Sequence, residues 1–423
     1  MKITYKQIFY FLICATFMFL PRRWFILGIQ SYRLLLLILL AVTIKKWKFS
    51  RTFFNMCTVL YTAYIALYYL IDAGVMSAVG FAIDTVGLFI LLYSNIRTND
   101  DLQSLLNIFS NSLVIYSLLC ILQTFTGFNI FDLVSGTSLS AAANYYRFGL
   151  VRSYGSFNTS INNALFMVMA SCIILYLYEH ATEQIEKRHY IIKYIICIAA
   201  ICACMSRAPI LVLILIWFIY LMKKGLLRFV YRNFFKIITV AAAVLVLFVS
   251  SSTVKTVSTN FVNMFVAIFN DSAGSSISSS FGVNVGGIGE RLILYTWVGE
   301  KIDGNEITGM GPSSDPEFKY TDEWNKERVK TSLENHYLKI LYNFGYIGLA
   351  LFVLFTFKML ICTFKGVKKS PGQGISFHYI ALMAQIAYII CIFTVASVDD
   401  MRMYYFIVCI SILMQTKIKG YNC

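Results

Sequence analysis

The sequence predicts an all-α, polytopic integral membrane protein, and three observations predict it. The 423 residues are 58% hydrophobic and 13% charged, whereas a soluble globular chain carries roughly 25% charged residues. The apolar residues come in runs of about twenty, long enough to cross the ~30 Å core of a bilayer. The basic residues sit in short segments between those runs, as the positive-inside rule expects. The net charge of +15 therefore points to membrane topology and not to nucleic acid.

Taken in order, the apolar runs place about twelve spans. They lie near 5–20, 25–43, 53–71, 76–96, 102–124, 158–178, 190–206, 208–222, 237–256, 336–362, 376–397 and 402–417. No small-residue cleavage site follows the first run, "YKQIFYFLICATFMFL", so the sequence predicts that this span is retained. Residues 1–423 read as one membrane domain, with neither a soluble domain nor an internal repeat. Of the eleven cysteines, most lie inside apolar runs (Cys57, Cys120, Cys172, Cys202, Cys204, Cys362, Cys391, Cys409). None forms a CxxC with metal spacing, and they read as small buried hydrophobes.

The loops set the orientation. "KKWKFSR" (45–51), "EKRHYIIK" (186–193), "KKGLLRFVYRNFFK" (223–236), "KGVKK" (365–369) and "TKIKG" (416–420) are basic. With both termini in the cytoplasm, every one of them falls on the inner side. "PRRW" (21–24) falls outside and breaks the rule. The outer side then holds two sizeable loops, about 125–157 and about 257–335. The second, before the tenth span, is far longer than an ordinary connection and is expected to be functional. About eleven of the 21 acidic residues lie in it, which supports external placement. It opens with a Ser/Gly-rich stretch, "NDSAGSSISSSFGVNVGGIG", then "ERLILYTWVGEKI", an amphipathic helix able to lie on a membrane surface.

The outer side also collects arginines. Arg147 and Arg152 precede the sixth span, and Arg207 stands in the very short turn of "CMSRAPI". Arg291 opens the amphipathic helix, and Arg402 follows "SVDDM". Arginine matches phosphate oxygens bidentately, so several on one face suit a lipid-linked diphosphate. The plain alternative for each is snorkelling to headgroups. For Arg402, beside Asp399 and Asp400, a structural salt bridge is the better reading. For Arg207 the functional reading is favoured, because so short a loop needs no charge.

Glu334 and His336 stand directly before the tenth span. Helix-terminal chemistry accounts for Glu334, with Asn335 or Ser332 as cap, and accounts poorly for His336. The other reading is a general base acting on a sugar hydroxyl. Asp84, inside a span, is a candidate polar contact. There is no P-loop, GxGxxG, HExxH, DxD or His/Cys metal cluster, and neither a metal nor a cofactor is expected.

Four stretches, in this order, resemble the O-antigen ligase and polymerase family, the Wzy-type membrane glycosyltransferases. "RSYGSFNTSINNALF" resembles its Arg-x-x-Gly-x-Phe segment through Arg152, Gly155, Phe157 and Asn162, with Ser160 where the family often has Pro. "SRAP" resembles its Ser-Arg turn through Ser206 and Arg207. "ERLILYTWVGEKIDGNEITGMG" resembles its Arg…Trp…Gly-x-Gly segment through Arg291, Trp297, Gly309 and Gly311. "ENHYLKILYNFGYIGL" resembles its His-Asn-x-Tyr-Leu…Gly…Gly segment through Asn335, Leu338, Gly345 and Gly348. The family's histidine position falls on Glu334, and His336 is displaced by two residues. Ligases of the family typically keep that histidine, which tilts the reading towards polymerase.

The resemblance implies a GT-C-like helical membrane enzyme, inverting and metal-independent, with its active site outside the cytoplasmic membrane. The donor and acceptor would be polyprenyl (undecaprenyl) diphosphate-linked oligosaccharides, and the product O-antigen, capsule or exopolysaccharide. Arg147, Arg152, Arg207 and Arg291 would hold the diphosphate, and Glu334 or His336 would be the base. A flippase and a chain-length regulator would be partners, alongside membrane lipids. Three other readings stay open. They are a ligase moving finished glycan to a lipid or protein acceptor, a flippase or other transporter, and a sensor or scaffold. Transporters usually show internal repeats and charged or broken helices at mid-membrane.

Overall fold

The computed structural model describes residues 4–136, 146–147, 149–225, 231–232, 239, 288–314, 316–321, 327–330, 333–369, 375–395 and 401–416. These residues form helices α1 (Tyr5–Met18), α2 (Ser31–Val42), α3 (Met56–Tyr68), α4 (Val75–Ala82), α5 (Leu88–Asn95), α6 (Asn99–Thr126) and α7 (Ile130–Ser135). Then come α8 (Ser160–His180), α9 (Gln184–Ala203), α10 (Arg207–Lys223), α11 (Ile288–Lys301), α12 (His336–Lys369), α13 (Phe377–Cys391) and α14 (Met401–Thr416). Three short antiparallel hairpins interrupt them: β1 (Phe25–Ile26) with β2 (Ile29–Gln30), β3 (Tyr146–Arg147) with β4 (Leu150–Val151), and β5 (Phe318–Thr321) with β6 (Glu327–Lys330).

The helices start where local chemistry satisfies their first N–H groups. At α1, Thr4 accepts from the N–H of Gln7 while the Gln7 side chain accepts from the N–H of Thr4, a capping box. At α6, Thr98 accepts from the N–H of Asp101, acidic side chains fill the first turn, and Gly127 ends the helix at φ 71. Leu102, Leu105, Leu106, Phe109, Leu113, Tyr116 and Cys120 form its buried stripe, and that face packs against α1 and α9.

Two helices are enclosed nearly all round. Of the apolar window of α8, 94% is buried, and α6, α9, α10 and α13 surround it. α14 is buried from Met401 to Met414. A helix apolar on every face belongs in the middle of a bundle.

Five described helical segments are long and apolar enough to cross a membrane: Met56–Ala73, Val75–Asn95, Asn99–Thr126, Ser160–His180 and His336–Lys369. Shorter apolar helices occupy Ser31–Val42, Phe377–Cys391 and Met401–Thr416. Most of the expected spans thus coincide with a helix, while the one near 237–256 lies almost wholly outside the described residues. Two of the crossings contain π-helical turns, Tyr69–Ala73 at the end of α3 and Ile83–Gly87 between α4 and α5.

The arginines of "PRRW" are held by the fold. Arg22 is buried and donates to the carbonyls of Thr16 and Phe17 at the C-terminal end of α1 and of Leu20 just beyond it. Arg402 reaches the same end, donating to the Thr16 carbonyl at 3.1 Å. Both guanidinium groups lie on the Tyr32 ring, at 4.9 and 3.7 Å from its centroid. Arg23 pairs with Asp132 at 2.8 Å. These charges neutralise a helix C-terminus and a carboxylate, so they are not the free loop charges that the positive-inside rule counts. Asp399 and Asp400, the expected partners of Arg402, lie outside the described residues.

The span expected at 336–362 is broken. An unbroken helix would separate His336 from Phe352 by about 24 Å at 1.5 Å per residue, yet their ring centroids are 5.4 Å apart. The chain reverses at Gly345, where φ is 64° and ψ is −167°. Residues 336–344 form a short helix that doubles back along the start of the longer one. Leu338 and Tyr342 on that short helix pack with Leu333 and with Leu294, Val298 and Ile302 of the α11 region, in a second small core.

A segment of the long loop closes the break. Met310 and Gly311 donate to the carbonyls of Tyr342 and Asn343 at 2.7 and 3.0 Å, while Tyr346 and Ile347 donate to those of Glu306 and Ile307 at 2.8 and 3.3 Å. The groups orphaned by the break are thereby satisfied. The backbones pass so close that a Cβ on Gly345 would lie 2.2 Å from the Ile307 oxygen, and one on Gly309 2.5 Å from the Gly345 nitrogen. Next in the segment, the N–H and hydroxyl of Ser313 both donate to Asp72 at 2.6 Å. That bond ties the loop to the end of the Met56–Ala73 helix.

Candidate functional site

The site is assembled from a hairpin, a loop and a helix turn. The β3–β4 hairpin turns at Gly149 and leads into Arg152–Thr159. This loop is bolted down by buried polar groups on α6 and α8. The Gln123 side-chain oxygen accepts from the Ser153 hydroxyl and from the N–H groups of Tyr154 and Gly155. The Tyr116 hydroxyl donates to Asn163 at 2.7 Å and accepts from the N–H of Ser156 at 3.1 Å. Gly155 has φ 51, and a Cβ there would sit 2.2 Å from that hydroxyl, so the close approach requires glycine.

Both arginines of this segment grip one turn. Arg147 Nη1 donates to the Met205 carbonyl at 2.8 Å. Arg152 Nε donates to the Cys204 carbonyl at 3.3 Å, and its Nη2 to Ser206 Oγ at 3.0 Å. Met205 is left-handed, with φ 48, a conformation uncommon for a side-chain-bearing residue and often found at functional sites. Ser206 stands at the N-cap of α10 but makes no capping bond; its hydroxyl is committed to Arg152 and to the Cys204 carbonyl. The turn therefore sets Arg207 as the first residue of α10, next to the unsatisfied N–H groups of a helix N-terminus, an anion-favouring position.

Three guanidinium groups and a positive helix end are thus concentrated together. Burial first, then Arg152, then Arg207, push the Arg147 guanidinium down to about 8, with Glu334 acting in the opposite sense. Glu334, 182 residues beyond Arg152 in sequence, is thus within electrostatic reach of Arg147. Crowded cations with a depressed charge state are a site that gains free energy by taking up an anion.

Around Glu334 the neighbours divide the work. Asn335 is the cap of α12: its side-chain oxygen accepts from the N–H groups of Tyr337 and Leu338, and its amide donates to the Tyr295 hydroxyl of α11 at 2.9 Å. Glu334 precedes that cap and is not a first-turn residue, so the helix dipole does not account for it. His336 is 2% exposed and lies edge-on to Phe352. Its N–H donates to the Ile392 carbonyl, and neither ring nitrogen has a hydrogen-bond partner among the described residues. Glu334 therefore joins the arginines, and His336 packs into the bundle.

Arg291 lies on α11, but its side chain is outside the described residues. Gly309 and Gly311 serve the helix break, as described above. Sequence reasoning missed Tyr116, Gln123 and Asn163, which hold the arginine loop. Their one signal was polarity inside apolar runs. Among the described residues no group of three His, Cys, Asp or Glu side chains is placed to hold a metal ion.

A family model described as O-antigen ligase matches residues 192–353. The match begins in α9, includes Arg207 and Glu334, and ends just beyond the break at Gly345; the β3–β4 hairpin with Arg147 and Arg152 precedes it. Over these residues, fewer than half of the chain, the protein is similar to that family. No curated protein matches the chain.

Proposed function

We propose, on the premise of that similarity, that the chain is a membrane glycosyltransferase that polymerises lipid-linked oligosaccharide repeat units. The observation that carries this reading is the grip of Arg147 and Arg152 on the turn that leads into Arg207, with Glu334 within electrostatic reach of Arg147. The donor is a glycan on a polyprenyl diphosphate, and the acceptor a second lipid-linked glycan. Arg152 and Arg207, with Arg147 beside them, bind the diphosphate. Arg291 is a further candidate for the same role.

Glu334 takes the proton of the acceptor hydroxyl. The hydroxyl oxygen forms the new bond to the anomeric carbon from the face opposite the leaving group, inverting that carbon. The bond from the anomeric carbon to the diphosphate oxygen breaks, and its electron pair leaves with the polyprenyl diphosphate. Negative charge grows on the leaving oxygen, where fixed guanidinium groups stabilise it without reorganisation. A carboxylate at one end of the reacting bonds and cations at the other fit this displacement. The burial of His336 supports Glu334 as the base. The segment 306–311, clasped to the break in α12, fixes the short helix that Glu334 precedes. The basic segments 45–51, 186–193 and 365–369 support the reading that the arginine face lies outside the cytoplasmic membrane.

The test is the length and attachment of surface and lipid-linked glycan in cells lacking the gene, complemented by wild type, Glu334→Ala or His336→Ala. Accumulated single repeats, restored to long chains by wild type and His336→Ala but not by Glu334→Ala, are expected. Long chains that persist on the polyprenyl carrier would make the chain a ligase. Unchanged glycan would remove the glycosyltransferase reading.

A further inference from the structure

A second polar site lies away from the arginine turn. A cavity of about 120 Å³ opens between α2, the α3–α4 turn and α14, several times the ~10–15 Å³ one water needs. It is built around an ion pair. Arg33 donates through Nε and Nη2 to Asp84 Oδ2, at 2.9 and 2.7 Å, and the Tyr32 hydroxyl, which donates to Gln30 Oε1 at 2.6 Å, lies 3.3 Å from the same Asp84 oxygen. Asp84 sits in the π segment Ile83–Gly87, and such an extra residue rotates a side chain out of helical register. Gly80 makes room for the pair: a Cβ there would lie 2.6 Å from Arg33 Nη1.

The charges cancel inside this cavity, in contrast to the arginine turn, so it has no preference for an anion. Its open valences are neutral ones. Asp84 Oδ1 is buried and accepts no hydrogen bond from any described residue, and the hydroxyl of Tyr405, 1% exposed, also has no partner among them. Ser77 adds a hydroxyl, and Tyr69 and Phe81 supply aromatic walls whose ring centroids are 5.7 Å apart. A carboxylate oxygen, hydroxyls and aromatic faces together suit a ring with hydroxyls at its edge and C–H groups on its face.

The cavity also has a defined relation to the reacting groups. It lies at the end of the bundle where α2, α4 and α14 begin, and its wall residue Tyr69 opens the π turn Tyr69–Ala73 whose Asp72 holds the outer loop through Ser313. Tyr69 packs on Phe344 at 5.7 Å, and Phe344 ends the short helix that Glu334 precedes. That helix is about 13 Å long at 1.5 Å per residue.

We infer that this cavity is a subsite for a neutral sugar ring of the acceptor glycan, one or more residues removed from the sugar that reacts. The inference rests on the glycosyltransferase reading. Binding free energy gained there, remote from the reacting bond, positions the acceptor hydroxyl at Glu334 and selects the repeat unit.

The test uses the purified full-length protein in detergent and, as probe, the lipid-free repeat-unit oligosaccharide released by mild acid from the host's lipid-linked pool. The wild type binds it, and Tyr405→Phe and Asp84→Asn each weaken binding about tenfold, the loss of one hydrogen bond. Tyr405→Phe keeps the ring and its packing, so it reports on the hydroxyl even where Asp84→Asn fails to fold. Excess free glycerol leaves binding unchanged, which separates a sugar ring from the glycerol of a lipid headgroup. Equal affinity in wild type and both variants would overturn the subsite, as would displacement by glycerol or absence of wild-type binding. None of these results touches the gene-deletion phenotype, which alone decides the glycosyltransferase reading.

Discussion

Gly345→Ala attacks a seam where two helices and the outer loop are fastened together. Its φ of 64° and ψ of −167° belong to a region that only glycine occupies comfortably, at a cost of about 1–3 kcal/mol for another residue. The new Cβ would also lie 2.2 Å from the Ile307 oxygen, so the loop must move. Moving it strains the four bonds that Met310, Gly311, Tyr346 and Ile347 make across the seam, each contributing about 1 kcal/mol. Loss on the order of 3 kcal/mol opens the seam on the order of a hundredfold more often. The bundle below it, centred on α8 and α14, shares none of these bonds and stays folded. Hydrogen exchange read by mass spectrometry on detergent-purified protein measures this directly. Peptides covering 305–313 and 342–348 should lose protection about a hundredfold, while peptides from α8 keep theirs. Glycan chain length in cells should fall in parallel, because the short helix carries Glu334 to the arginine turn. Unchanged protection at the seam together with wild-type glycan would refute the argument that this break is glycine-dependent and that the loop positions the site.

Other perturbations separate the roles of individual groups. Arg147→Gln should raise thermal stability while lowering activity. Burial and the neighbouring Arg152 and Arg207 make the charged form of Arg147 costly in the folded state, and removing it relieves that cost. An arginine stays protonated across the neutral pH range, so the gain should not depend on pH there. A lower melting temperature in the variant would contradict the reasoning. Gly155→Ala should lose activity at normal membrane abundance, since the Tyr116 hydroxyl must be displaced by the new methyl. Full activity would show that the arginine loop tolerates movement. Finally, Glu334→Gln should abolish polymer formation, while His336→Leu, replacing a buried ring without hydrogen-bond partners among the described residues, should keep both abundance and chain length. Inactivity of His336→Leu at full abundance would return the imidazole to the reaction.

The bundle was legible because its signal is local. A run of about twenty apolar residues bounded by basic loops identifies a span wherever its neighbours lie, and Thr4, Thr98 and Thr159 mark helix starts within one turn. The arginines were legible as residue types, since charges beside spans are conspicuous. Their convergence was not, because it depends on the Cys204–Ser206 carbonyls and hydroxyl of a turn some fifty residues away. The reversal inside α12 was hidden for a similar reason. "KILYNFGYIGLALF" is apolar but for Lys339 and Asn343, and the segment 305–311 supplies the partners that make a break there tolerable. Arg402 looked paired to its sequence neighbours, but it reaches a carbonyl 386 positions earlier. Asp84 looked isolated, because Arg33 comes from another helix and the π turn that aims it has no sequence signature.

That long reach of Arg402 has a bearing on how the chain is made. During synthesis α1 enters the bilayer long before α14 leaves the ribosome. In that interval the Thr16 carbonyl has Arg22 from its own segment but lacks its second donor, and the Tyr32 ring is covered by one cation in place of two. Docking of α14 supplies both at once, at a point where nearly every side chain from Met401 to Met414 becomes buried. The bundle is therefore locked from its last helix, like a keystone, and a translation product that stops before Arg402 leaves its earliest membrane segment unfinished and open to surveillance proteases.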